Sequence, residues 1–118
     1  MIKLFDSEIK VMEVLWREGS LTAGQIVKQL QKSIGWNRNT TYTVIKKCIE
    51  KGAIERKEPK FTCKPLITKE EVQTYEVAEV IHKLFDGSAN NFFATFFEDE
   101  KISPKKLKEL HKMIDDLK

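Results

Sequence analysis

The stretch from Trp36 to Lys64 constrains this chain more than any other. It reads Trp36-Asn37-Arg38-Asn39-Thr40-Thr41-Tyr42-Thr43-Val44-Ile45-Lys46-Lys47-Cys48-Ile49-Glu50-Lys51-Gly52-Ala53-Ile54, then two β-prone runs, Ile54–Lys57 and Phe61–Lys64, with Glu58-Pro59-Lys60 between them. Asn37 is placed to cap a helix, because its side chain can accept from an amide that the first turn leaves unpaired. Thr41, Val44, Ile45, Cys48 and Ile49 recur at intervals of three and four and form an inward face. Asn39, Tyr42, Thr43, Lys46 and Lys47 are left outside, with Arg38 at the tip. An exposed helix is more often filled with Glu/Lys pairs, which favour helicity. Here the outer face holds Asn, Thr and Tyr, which do not, so these short hydrogen-bonding groups are expected to touch a partner. Gly52 supplies the positive φ that stops the helix, and the chain runs directly into a basic hairpin.

The residues upstream supply two more helices. Asp6 or Ser7 is suited to cap the first, with Ile9, Met12, Leu15 and Trp16 facing inward and Gly19 at its end. Thr22-Ala23-Gly24-Gln25 has the Thr-x-x-Gln form of a capping box. It opens a second helix that buries Ile26, Val27 and Leu30 and stops before Gly35, and Trp36 is positioned to staple the turn that follows. The expectation is a mainly α chain whose residues 1–66 form a winged helix-turn-helix, three helices plus a two-stranded β-wing.

Charge is segregated along the chain. Residues 1–66 carry 13 Lys/Arg against 7 Asp/Glu, whereas residues 67–118 carry 8 against 11. A basic front half is drawn to polyanions and an acidic back half is not. No apolar run approaches the ~18 residues that would span a bilayer, and Met1–Glu18 mixes charges where a signal peptide would have an apolar core. Cys48 and Cys63 have no metal-ligand spacing and are expected as reduced core thiols of a cytoplasmic protein. Catalysis is not expected. His82 and His111 have no nucleophile or carboxylate cluster near them, Glu98-Asp99-Glu100 reads as a solvated loop, and no Gly-rich phosphate loop or cofactor motif is present.

Residues 67–118 are a different object. Thr68-Lys69-Glu70-Glu71 is another capping box, opening a helix with Val72, Tyr75, Ala78, Ile81, Leu84 and Phe85 before Gly87 breaks it. Ser103-Pro104 starts a last helix, in which Leu107, Leu110, Ile114 and Leu117 form a coiled-coil-like seam. Five of the seven phenylalanines are Phe85, Phe92, Phe93, Phe96 and Phe97. Burying four such rings represents about 15–25 kcal/mol of gross transfer free energy. About fifty residues cannot hide them alone, so a helical dimerisation domain is expected, with a second copy as partner.

With these residues in view, the chain resembles the penicillinase-repressor (BlaI/MecI-like) family of winged-helix transcriptional regulators. The landmarks are Asp6-Ser7-Glu8, Val11-Met12, Leu15-Trp16, the helix from Trp36 to Gly52-Ala53, Leu84-Phe85-Asp86-Gly87-Ser88 and Phe96-Phe97-Glu98-Asp99, in that order. The resemblance implies a homodimeric repressor on a palindromic operator, controlling a β-lactam-resistance or related stress operon. In the resistance members a membrane sensor-protease triggers cleavage before a Phe of the dimerisation region, which aligns with Thr95–Phe96; those members have Asn where Thr95 stands. The Cys-x-Cys metal ligands of the copper-responsive relatives are absent.

On a DNA duplex, Arg38, Asn39, Thr40, Tyr42 and Thr43 are expected to read base edges. An Asn can pair with adenine, and a Thr methyl or Tyr ring can touch the thymine methyl. Thr22, Lys46, Lys47, Arg56, Lys57 and Lys60 are expected on phosphates. The alternative is a winged-helix module that binds protein. It fits poorly with 10 Lys/Arg against 3 Asp/Glu between Lys28 and Lys64.

Overall fold

The computed structural model describes residues 2–98, 101, 102, 104, 105, 108, 109 and 112. It divides into two compact units, Met1–Tyr75 and Glu76–Lys118.

In the first unit, helices α1 (Asp6–Glu18), α2 (Ala23–Ile34) and α3 (Arg38–Glu50) enclose one apolar core. Strands β1 (Leu21–Thr22), β2 (Ile54–Lys57) and β3 (Thr62–Pro65) form an antiparallel sheet in the order β1-β3-β2. The wing therefore has three strands where the sequence suggests two, because the two residues leading into α2 pair with β3, Leu21 opposite Cys63 and Thr22 opposite Thr62. The hairpin loop is also longer than expected: Phe61 has φ +49° and lies outside the strand.

Local sequence explains each boundary. Thr22 Oγ1 accepts from the Gln25 amide at 3.2 Å while Gln25 Oε1 accepts from the Thr22 amide at 2.9 Å, a complete capping box. Asn37 Oδ1 accepts from the Thr40 amide at 2.8 Å and starts α3. Gly52, at φ +80°, closes the end of α3, and the following Ala53 amide donates to the Cys48 carbonyl at 2.9 Å. The start of α1 differs from the sequence reading. Its cap is Phe5, not Asp6 or Ser7, because Glu8 Oε1 reaches back to accept from the Phe5 amide at 2.7 Å.

Glu8, on the same helix as the buried Val11, Met12 and Leu15, is itself only 1% exposed, one of two buried polar residues with Thr41 among those described. Its Oε1 accepts from Lys51 Nζ at 2.6 Å, and Lys51 also donates to the Lys3 carbonyl and lies 4.0 Å above the Phe5 ring. Glu8 Oε2 has no protein partner. Trp16 Nε1 donates to the Ile67 carbonyl at 2.9 Å. That bond, with the Thr68 cap on the Glu71 amide and the buried Val72, holds the first turns of α4 (Lys69–Leu84) in this unit.

In the second unit, Ser88 Oγ accepts from the Asn91 amide and opens α5 (Ala89–Phe96). Two two-residue strands follow, β4 (Phe97–Glu98) and β5 (Lys101–Ile102), paired Phe97 to Ile102 and Glu98 to Lys101. Of the loop expected at Glu98-Asp99-Glu100, Glu98 lies in β4, and Asp99 and Glu100 lie outside the described residues. Pro104, Lys105, Lys108, Glu109 and Lys112 have helical backbone. His111 and the seam residues Leu107, Leu110, Ile114 and Leu117 lie outside the described residues.

Candidate nucleic-acid interface

The turn between α2 and α3, with Gly35 in the left-handed region at φ +71°, sets the two helices as a helix-turn-helix. α3 divides as its sequence predicts. Thr41, Val44, Ile45 and Cys48 are buried, while Arg38, Asn39, Thr40, Thr43, Lys46 and Lys47 are exposed. The buried Thr41 hydroxyl donates to the Asn37 carbonyl at 3.2 Å, so its polarity is satisfied inside the helix. The first turn holds no acidic residue, leaving the positive end of the helix dipole without a neutralising carboxylate. The hydroxyl of the exposed Thr43 donates back to the Asn39 carbonyl at 2.9 Å, which leaves its oxygen lone pairs able to accept.

Tyr42 is less free than its position on the outer face suggests. It is half-buried, with its ring edge-on to Phe61 at a centroid separation of 5.7 Å and an interplanar angle of 74°. Arg38 lies 4.9 Å from the Tyr42 ring centroid and its Nη2 is 3.3 Å from the Tyr42 hydroxyl. On the other side, the Arg56 guanidinium lies 3.7 Å from the Phe61 centroid. A guanidinium, two aromatic rings and a second guanidinium thus run from the tip of α3 into the wing. Phe61 was not among the residues singled out from sequence; a positive φ is invisible in a residue that is not glycine.

The wing cations are not bare. Arg56 Nε lies 2.5 Å from Glu58 Oε1 and Lys57 Nζ lies 3.1 Å from Glu55 Oε1. Lys60 is exposed in the loop. At the start of α2, the Ala23 amide donates to the Phe61 carbonyl at 2.9 Å and the Gln25 amide to Thr22. The amides of this first turn are therefore partly used, although the Thr22 hydroxyl keeps its own proton to donate.

Burial pushes the Cys48 thiol up to about 12, with the Glu8 carboxylate adding to the effect, and burial pushes Cys63 up to about 11. Both are free thiols packed in the core.

In the second unit, the Phe92 ring meets Phe85 edge-on at 5.3 Å and Phe93 at 5.5 Å. Phe93 is 53% exposed, and Val77, Val80 and Leu84 add an exposed apolar stripe on α4 at i, i+3 and i+7. Val77 and Val80 extend the apolar residues expected on this helix, and their spacing with Leu84 is legible in the sequence. Phe96 ends α5 and Phe97 begins β4. The Thr95–Phe96 bond lies in the last turn of α5, where the Thr95 hydroxyl donates to the Asn91 carbonyl at 2.9 Å.

No group of three or more His, Cys, Asp or Glu that could hold a metal is present among the described residues, and no helix among them is long and apolar enough to cross a membrane.

A helix-turn-helix joined to a small sheet, with polar and basic groups outward on the third helix, defines a winged-helix DNA-binding protein. The family model described as Penicillinase repressor matches residues 4–116, and the chain belongs to that family. It is 25% identical to the Penicillinase repressor of Bacillus licheniformis over 118 residues, covering 98% of this chain and 92% of that protein. It is also 25% identical to the Methicillin resistance regulatory protein MecI of Mammaliicoccus sciuri over 114 residues, covering 95% and 93%. Among solved structures, the DNA-binding domain of the repressor BlaI superposes with a TM-score of 0.54 at 29% identity, over 60% of this chain and 93% of that one. The monomeric form of Bacillus licheniformis BlaI in complex with the blaP half-operator superposes with a TM-score of 0.51 at 28% identity, over 58% and 87%.

Proposed function

We propose that this penicillinase-repressor family member acts as a homodimer on a palindromic operator, with residues 1–66 as the DNA-binding domain and 67–118 as the dimerisation domain. The observation that carries the reading is the outward face of α3, where Asn39, Thr40, Thr43, Lys46 and Lys47 are all exposed, opposite a face that buries Thr41, Val44, Ile45 and Cys48 and half-buries Ile49. Arg38, Asn39, Thr40, Tyr42 and Thr43 read base edges in the major groove. Lys46, Lys47 and Lys60 meet phosphates, as do Thr22 through its hydroxyl and Arg56 and Lys57 in competition with Glu58 and Glu55. The half-operator complex of BlaI supports one winged helix per half-site.

Phe85, Phe92 and Phe93, with Phe96, Phe97, Leu107, Leu110, Ile114 and Leu117, form the dimer contact, and the exposure of Phe93 and Leu84 supports this. The protein works in the cytoplasm, without catalytic activity or membrane insertion, on a β-lactam-resistance or related operon. Repression ends when the dimerisation region is disrupted or cut, with Thr95–Phe96 the candidate bond and a membrane sensor-protease the candidate trigger. One winged helix alone then makes half the contacts and loses the gain from linkage.

Selection of bound duplexes from a random pool with the full chain tests this reading. It expects an inverted repeat with half-sites about one helical turn or more apart. Sedimentation of the wild type and of Phe93→Asp tests the contact, with monomers and weak operator binding expected for the variant. A pool without an enriched palindrome refutes the operator, and an unchanged sedimentation profile for Phe93→Asp refutes the contact.

A further inference from the structure

We propose that Phe61 is the positioning residue of the DNA-reading surface, fixing Tyr42 and Arg56 in register with the start of α2. The inference rests on the operator-binding reading above and assigns a role to a residue outside the contact set. Three elements of the interface converge on Phe61. Its ring abuts Tyr42 of α3 edge-on at 5.7 Å, its face carries the Arg56 guanidinium of the wing at 3.7 Å, and its carbonyl accepts from the Ala23 amide at the head of α2 at 2.9 Å. The last bond is possible because the chain turns through φ +49° at this residue, a region where glycine is at ease and a ring-bearing residue is not. The backbone geometry alone therefore calls for glycine. What glycine would lack at this position is the ring.

The ring sets the spacing of two cations. Arg38 sits on Tyr42 and Arg56 on Phe61, so the aromatic pair acts as a spacer between one guanidinium at the tip of α3 and another in the wing. A guanidinium stacked on a ring still points its edge outward, so the N–H groups of Arg56 other than the Nε that meets Glu58, and those of Arg38 other than the Nη2 on the Tyr42 hydroxyl, are left for acceptors. A duplex meeting this surface finds base-reading and backbone-gripping groups already in register, and the ordering cost of binding falls.

The test is Phe61→Gly, which suits the positive φ, keeps the carbonyl bond to Ala23 and removes only the ring. Its probe is the duplex enriched by the wild type, titrated beside a random duplex. The expected result is a loss of about tenfold in the ratio of selected to random affinity, the order set by one aromatic pair and one cation–π contact, with affinity for random duplex falling only by the phosphate contact that Arg56 supplies. Phe61→Tyr restores the ratio. Phe61→Leu, which keeps apolar bulk without an aromatic face, shows the same loss and decides the matter if the glycine variant does not fold. In the free protein labelled with 3-fluorotyrosine, the Tyr42 fluorine resonance shifts in Phe61→Gly. Wild-type selectivity in both Phe61→Gly and Phe61→Leu overturns the proposal, as does an unmoved Tyr42 resonance. If the wild type itself does not distinguish duplexes, the operator reading fails, and the fluorine shift still reports whether Phe61 holds Tyr42.

Discussion

Lys51 Nζ lies 2.6 Å from Glu8 Oε1 and so ties the end of α3 to the first turn of α1 across 43 residues. The Glu8 side chain is 1% exposed and the Lys51 side chain 28%. The two partners therefore cannot be removed at equal cost. Lys51→Met leaves a buried charge with only the Phe5 amide to answer it, and is expected to destabilise the fold by about 3–5 kcal/mol. Glu8→Gln keeps an acceptor for that amide and leaves an ammonium that can turn to water, so its expected cost is about 1–2 kcal/mol. Urea unfolding of both variants checks the order. Equal costs would mean that burial of Glu8 is not what makes the pair matter.

The wing acids hold back the wing cations. Glu55 and Glu58 each neutralise a neighbouring base, in pairs exposed enough to contribute only about 0–1 kcal/mol to stability. Replacing both with Gln is expected to leave the melting temperature almost unchanged, tighten binding to any duplex and steepen the salt dependence by up to ~0.9 per cation freed. Fluorescence anisotropy across a salt series measures all but the first. Weaker binding, or an unaltered slope, would show that Arg56 and Lys57 do not reach phosphates.

Lys46 and Lys47 should separate from Asn39 and Thr43 by the kind of loss they cause. Alanine at either lysine is expected to weaken every duplex alike and to flatten the salt slope by about 1. Asn39→Ala is expected to cost about 1–3 kcal/mol, concentrated at one base pair of each half-site. Thr43→Val, which loses the bond to the Asn39 carbonyl and the oxygen lone pairs, should relax preference at a neighbouring position. Single-base-pair substitutions in the operator resolve the two classes, and a uniform loss for Asn39→Ala would reassign it to the backbone.

The thiols predict an alkaline limit. From an ordinary value of 9.0, burial pushes Cys48 up to about 12 and Cys63 up to about 11. In the unfolded chain both ionise near the ordinary value, while the folded chain keeps them protonated. Their contribution is thus fully present below pH 9.0 and is lost as pH rises through the window to about 12. The double variant Cys48→Ala, Cys63→Ala is expected to show a shallower fall of stability above pH 9.0 than the wild type. Identical slopes in thermal melts would disprove the linkage.

Much of the winged helix is written locally. Thr22 with Gln25, Asn37, Gly35 and Gly52 each mark a boundary within four residues of the hydrogen bond that makes it. The inward and outward faces of α3 follow from helical spacing alone. What stayed hidden depends on distant partners. Glu8 looks like any exposed helix carboxylate until the fold brings Lys51 to it. β1 is too short to show a strand pattern, and its pairing needs β3, about forty residues away in sequence. Tyr42 lies on the outer stripe by spacing, yet a ring from the hairpin loop covers part of it. The β4–β5 ladder spans only two residues per strand, too few for alternation to register.

The order β1-β3-β2 leaves two open edges on the small sheet. One is β1, which is two residues long; the other is β2, whose Glu55, Arg56 and Lys57 all face solvent. A stub and a fringe of charged side chains are both poor templates for a stray strand from another molecule. Charge on this edge is thus suited to keeping one copy of the sheet from extending onto another.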